Sequence, residues 1–169
     1  SSLPDALADA GAAELARWLV DHGNEGLVVA GTTGESPTLT HDEQIELIRV
    51  VCDAVSVPVI AGAGSNDTRA AVELTELAAK AGAAAILSVT PYYNRPSQAG
   101  LVLHYGAIAQ STDLPIMLYD IPGRTGVKLE FDTLKRLAEH PRILAVKDAT
   151  GDVAAGFVKM SQTGLEYYS

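Results

Sequence analysis

Lys147 is the residue best suited to chemistry, because it follows the apolar run Ile143-Leu144-Ala145-Val146 and is expected at the carboxyl end of a buried strand. An ammonium is costly to bury, and lysines are seldom deeply placed without a purpose. Desolvation beside a cation such as Arg124 would free the amine to attack a carbonyl. The plainer alternative is a strand-end lysine that reaches solvent or pairs with Asp148.

Other reactive side chains also stand just after apolar runs. Tyr119 and Arg124 lie in Leu118-Tyr119-Asp120-Ile121-Pro122-Gly123-Arg124-Thr125. A phenol at a strand end can relay protons, or it can simply be a core aromatic with its hydroxyl at the rim. The planar fork of Arg124, in what reads as a Pro-Gly turn, suits a carboxylate. Gly31-Thr32-Thr33-Gly34-Glu35-Ser36 brings hydroxyls and close backbone to the end of another run, as an anion-binding turn or as a tight turn with no ligand. It lacks the spacing of a nucleotide-binding loop. In Thr90-Pro91-Tyr92-Tyr93-Asn94 the adjacent tyrosines point different ways, one inward and the other toward a neighbour.

The elements needed to position these groups repeat along the chain. Short apolar strands are expected at 26–30, 57–62, 84–89, 114–119, 143–147 and 165–168, each covered on both faces. Amphipathic helices fall between them, with stripes such as Leu74, Leu77, Ala78 and Ala81, or Leu101, Tyr105 and Ile108. Thr40 and Glu43 form a capping box that opens a helix near 41–54, and Gly23 and Gly82 stand where helices should stop. Alternating strands and helices fit a closed (β/α)8 barrel or an open doubly wound sheet. The barrel is preferred because polar groups follow nearly every strand, and only a barrel brings those ends to one mouth. A single partial TIM-barrel domain over residues 1–169 is therefore expected, its first strand and C-terminal units lying outside the chain.

Composition sets limits. With 47% hydrophobic residues the chain can build a core, and a net charge of −9 speaks against nucleic acid and anionic membranes as partners. The lone Cys52, in an apolar run, reads as a buried structural thiol in a reducing, cytoplasmic setting. Ser1-Ser2-Leu3-Pro4-Asp5 does not read as the start of a signal peptide. No run is long enough for a membrane helix. His104 reads as a hydrogen-bonded core histidine, and no carboxylate accompanies a histidine at ligand spacing, so no metal is expected.

Taken together and in order, Gly-Thr-Thr-Gly-Glu-Ser, Thr-Pro-Tyr-Tyr, Tyr-Asp-Ile-Pro-Gly-Arg-Thr-Gly and Val-Lys-Asp-Ala-Thr-Gly closely resemble the dihydrodipicolinate synthase family of pyruvate-dependent class I lyases. The resemblance runs from about residue 15 to the end. It implies a (β/α)8 barrel that condenses pyruvate with L-aspartate 4-semialdehyde in lysine and diaminopimelate biosynthesis, with no metal or organic cofactor. By the same resemblance Lys147 matches the Schiff-base lysine, Tyr119 the proton-shuttling tyrosine, and Thr32 and Tyr93 its relay partners. Tyr93 would act across a subunit interface of a homotetramer. Thr33 matches a binder of the pyruvate carboxylate, and Arg124 the residue that receives the semialdehyde. Asp120 and Gly123 depart from the asparagine and serine of many relatives, and Gln44 and Ala70 stand where lysine-inhibited relatives carry His and Glu, which implies weak inhibition by lysine. The alternatives are a lyase of the N-acetylneuraminate or sugar-acid type, or an inactive barrel fragment.

Overall fold

Strand, helix and turn signals alternate strictly along the chain, and the secondary structure follows them. The computed structural model describes residues 5–169, with side chains from residue 10 onward, so the segment read for a signal peptide lies almost wholly outside the described residues. Helix α1 (Asp5–Asp21) leads into β1 (Leu27–Val29), α2 (His41–Ala54), β2 (Val59–Gly62), α3 (Thr68–Lys80), β3 (Ala85–Val89) and α4 (Gln98–Gln110). Next come β4 (Ile116–Asp120), α5 (Pro122–Thr125), α6 (Phe131–Ala138), β5 (Ile143–Asp148), α7 (Val153–Thr163) and β6 (Glu166–Tyr168). Each expected strand is present within a residue or two. The Thr40–Glu43 capping box forms, and Gly23 and Gly82 adopt the left-handed φ of 95° and 101° that ends a helix.

All pairings are parallel, and the order is β1-β2-β3-β4-β5-β6. A doubly wound sheet reverses its strand order at a switch point, with helices on both faces. Here each crossover steps to the next strand in the same direction, as in a (β/α)8 barrel. The α/β architecture is thus an incomplete barrel, six strands of one with their covering helices.

The core lies between sheet and helices. Val29, Ala61, Ile86, Leu118 and Val146 from the strands meet Ile48, Leu74, Leu101, Ile108 and Leu134 from the helices, all buried. The expectation that strands are covered on both faces is only half met. The helix side is buried, whereas Val28 and Leu144 stand 49% and 50% exposed. With all crossovers of one hand, the helices fall on one side, and the other side faces the open barrel interior. Cys52 is half-buried rather than fully buried, and burial raises its thiol pKa above the ordinary range.

At the first strand pair the backbones touch. A Cβ on Gly62 would stand 2.2 Å from the Ala30 carbonyl oxygen, and the Gly62 carbonyl already accepts from Gln44 Nε2 at 2.5 Å. Gly62→Ala is expected to destabilise the fold by about 3 kcal/mol, since strands rather than flexible side chains must move. Urea denaturation measures this, and a loss below about 0.5 kcal/mol would contradict it.

Candidate active site

The strand ends gather the reactive groups because loops from successive strands are stitched together. Thr90 N–H donates to the Tyr119 carbonyl at 3.0 Å, and Tyr93 N–H to the Thr125 carbonyl at 3.2 Å. Thr90 Oγ1 and Thr125 Oγ1 are 3.3 Å apart. Asn66 Nδ2 donates to the Tyr92 carbonyl at 3.3 Å, and Asn94 Nδ2 to the Asn66 carbonyl at 3.1 Å. Ala149 N–H donates to the Asp120 carbonyl at 2.9 Å, tying β5 to β4.

These loops frame a cleft of about 460 Å³ whose lining includes Thr32, Ser65, Tyr92, Tyr119, Arg124 and Thr125. Arg124 reaches it from α5, a four-residue helix where the sequence read as a plain turn. Pro122 supplies the fixed φ that a first helical turn wants, and Gly126 at φ 77° ends it at once.

Lys147 is not part of that lining but sits against it. β4 and β5 pair Tyr119 with Lys147, and the lysine Nζ stands 4.7 Å from the centre of the Tyr119 ring. That is cation–π distance, and it holds the amine of the half-buried Lys147 against a ring that lines the cleft. The alternative pairing with Asp148 is not made. Neighbours on a strand point to opposite faces, so Lys147 turns inward and Asp148 toward the helices.

The structure thus brings Tyr119, Thr32 and Arg124 to one cleft with Lys147 on the Tyr119 ring. It does not bring Thr33 or Tyr93 into the lining. Thr33 is exposed beside Thr32, and Tyr93 is 91% exposed at a left-handed φ of 73°. Among the described residues no hydrogen bond joins the hydroxyls of Thr32, Tyr119 and Tyr93. No group of three or more His, Cys, Asp or Glu is placed to hold a metal among them either.

Sequence reasoning missed the polar groups behind the site. Asp120 is 1% exposed, and its Oδ1 accepts from Leu129 N–H at 3.2 Å. Its Oδ2 stands 3.9 Å from Nζ of Lys159, itself 5% exposed on α7. Burial, aided by the neighbouring Asp148 charge, pushes the Asp120 carboxyl up to about 6. Strand parity could have placed Asp120 outward, but nothing near Lys159 marks it as buried. Val153, Phe157 and Val158 on the same helix are exposed instead.

His104 is the buried histidine expected, bonded through Nδ1 to Thr68 Oγ1 at 2.8 Å, and burial lowers it to about 4. The two groups oppose each other. A neutral buried His104 gives up stability as pH falls from about 6.5 to about 4, because the unfolded chain binds its proton first. Asp120, raised above its ordinary value, gains stability as pH falls from about 6 to about 3.8. Each is worth on the order of 3 kcal/mol, so they largely cancel in this window. Asp120→Asn removes one arm. Its unfolding free energy should then fall more steeply on acidification than that of the wild type, in urea titrations at stepped pH. Parallel curves would contradict this.

Comparison with known proteins agrees with the geometry. The sequence model of the Dihydrodipicolinate synthetase family matches residues 4–169. A 4-hydroxy-tetrahydrodipicolinate synthase of Acidothermus cellulolyticus is 58% identical over 94% of this chain and 52% of its own length. One from Bifidobacterium longum is 55% identical over 95% of this chain and 53% of its own. The chain therefore spans about half the length of the curated relatives it matches. Among solved structures, the dihydrodipicolinate synthase of Acinetobacter baumannii complexed with pyruvate superposes with a TM-score of 0.92 at 45% identity, covering 95% of this chain and 57% of that one. The enzyme of Cyanidioschyzon merolae with lysine bound gives 0.87 at 45% identity, covering 98% and 57%.

Proposed function

The chain belongs to the dihydrodipicolinate synthetase family, and from that premise we propose that it carries the imine-forming centre of a 4-hydroxy-tetrahydrodipicolinate synthase. The reading makes the chain one partial-barrel domain of a cytoplasmic homotetramer that condenses pyruvate with L-aspartate 4-semialdehyde. The observation that carries it is the Lys147 amine set 4.7 Å from the ring of Tyr119, which lines the cleft, at adjacent strand ends.

The chemistry follows from that placement. The Lys147 amine, once it has given up its proton, attacks the keto carbon of pyruvate. Proton transfers through Tyr119 then let water leave, forming the iminium. The iminium is the electron sink, so loss of a methyl proton gives an enamine without metal or organic cofactor. The enamine carbon attacks the aldehyde carbon of the semialdehyde, whose oxygen takes up a proton. The substrate amino group then adds to the iminium carbon, and the Lys147 C–N bond breaks to free the amine. Thr32, which lines the same cleft as Tyr119, is the relay partner within the chain, and Thr33 holds the pyruvate carboxylate. Arg124 at the mouth takes the semialdehyde carboxylate. Tyr93, almost wholly exposed, is free to reach the site of a neighbouring subunit. Gln44, whose amide is committed to the Gly62 carbonyl, and Ala70, which has no carboxylate, support weak inhibition by lysine.

The test is acceptor choice in the intact protein. Pyruvate should be consumed with aspartate semialdehyde at least about 100-fold faster than with N-acetylmannosamine, the ratio expected when a charged group on the substrate meets its own partner. Preference for the sugar would move the chain to the sialic-acid lyases.

A further inference from the structure

β4 and β5 end on two successive register pairs, Tyr119 with Lys147 and then Asp120 with Asp148. Successive residues of a strand face opposite ways, so the reactive pair looks into the barrel and the acid pair into the helix layer directly behind it. That acid pair is only partly hydrogen-bonded. Asp120 Oδ2, Asp148 Oδ2 and the Tyr167 hydroxyl on β6 are buried without a hydrogen-bond partner among the described residues. Their other atoms are committed. Asp120 Oδ1 accepts from Leu129 N–H, and Asp148 Oδ1 from Thr150 N–H at 2.8 Å. The nearest cation is Lys159, which approaches Asp120 at 3.9 Å and donates to the Leu129 carbonyl at 3.5 Å.

Asp120 is buried and Asp148 beside it half-buried, with the one ammonium standing at Asp120, so a negative charge is left over that burial penalises and one added proton removes. The same proton would give a donor to a cluster whose free atoms are mostly acceptors. The remaining groups around Asp120 do not supply it cheaply. Tyr105 from α4 is held protonated well above its ordinary range, and Tyr167 is pushed up to about 12, while Lys128 ahead of α6 only adds positive charge.

We infer that Asp120, clustered with Asp148, Lys159 and Tyr167 on the back of the strand pair that carries Tyr119 and Lys147, is a positioning residue whose proton sets where the two strand ends, and with them the Lys147 amine, stand. The cluster reaches β4, β5, β6 and α7 together with the segment before α6, so a change in its charge acts on both strands that carry the reactive pair. Protonated, Asp120 can bridge to an acceptor and draw the strand ends together. Ionised, it draws on Lys159 and is repelled by Asp148. The inference rests on the proposed reaction only in taking Lys147 as the reacting amine.

The test follows the Lys147 Cε resonance in the intact protein labelled with 13C-lysine, assigned by its loss in Lys147→Arg. In the wild type the resonance should shift with an inflection near pH 6, where Asp120 titrates. Asp120→Asn leaves Lys159 and Asp148 balanced, and it should abolish that inflection. Asp148→Asn removes the like charge and should move the inflection at least about half a unit to lower pH. It decides the matter should Asp120→Asn fail to fold. A wild-type resonance with no inflection there, or the same inflection in both variants, overturns the inference. Borohydride trapping with pyruvate is run alongside. A wild type that traps nothing sinks the proposed reaction, while the resonance still reports whether the cluster moves Lys147.

Discussion

Lys147→Ala is expected to lower turnover by about 10³-fold or more while leaving the folded structure intact. The loss is large because the substitution removes a bond-forming partner rather than a contact. Without the amine no iminium forms, and nothing else in the cleft can hold the electrons of the departing methyl proton. Stability should hardly change, because the side chain is half-buried and its one distinctive contact is the Tyr119 ring, worth on the order of 1 kcal/mol. Lys147→Arg should be as inactive as the alanine variant, since a guanidinium stays protonated and cannot attack a carbonyl. Tyr119→Phe keeps the ring beneath the amine and removes only the proton relay, so about 10²-fold is expected. Steady-state kinetics beside circular dichroism measures all three. Turnover within tenfold of wild type in Lys147→Ala would contradict the scheme.

Lys159→Met should have the largest effect on stability, about 3–5 kcal/mol at pH 8. The substitution leaves Asp120 buried with no ammonium beside it and the half-buried Asp148 as its neighbour, and an uncompensated buried charge costs far more than a lost ion pair contributes. The cost should shrink toward pH 5, where Asp120 holds its proton. It should also shrink when Asp120→Asn is added, which makes the pair a double-mutant cycle with a strong coupling. Equal losses at both pH values, or additive losses in the double variant, would show that Lys159 acts through packing alone.

The frame of the molecule was plain in its sequence. Apolar runs such as Ile143-Leu144-Ala145-Val146, bounded by Gly and Pro, have few options besides a buried parallel strand, and each became one within a residue or two. The Thr40 box was equally legible, because its hydrogen bonds lie within one turn of chain. Lys147 and Tyr119 could be placed at strand ends by local pattern, but their apposition depends on the β4–β5 register, which a bulge near Ile116 and Met117 adjusts. A period of two along β5 already forbade the pairing of Lys147 with Asp148. Lys159 had no local signature. It is buried because α7 turns its small residues, Ala155 and Gly156, toward the sheet and leaves Phe157 outside. α5 was missed since a single turn of helix carries no periodicity.

The most direct measurement is reduction with borohydride in the presence of pyruvate, followed by mass mapping of the intact protein. The account requires one adduct, on the peptide that contains Lys147, and its disappearance in Lys147→Arg. An adduct on Lys128, Lys135 or another amine, or a folded protein that traps no pyruvate at all, would contradict it.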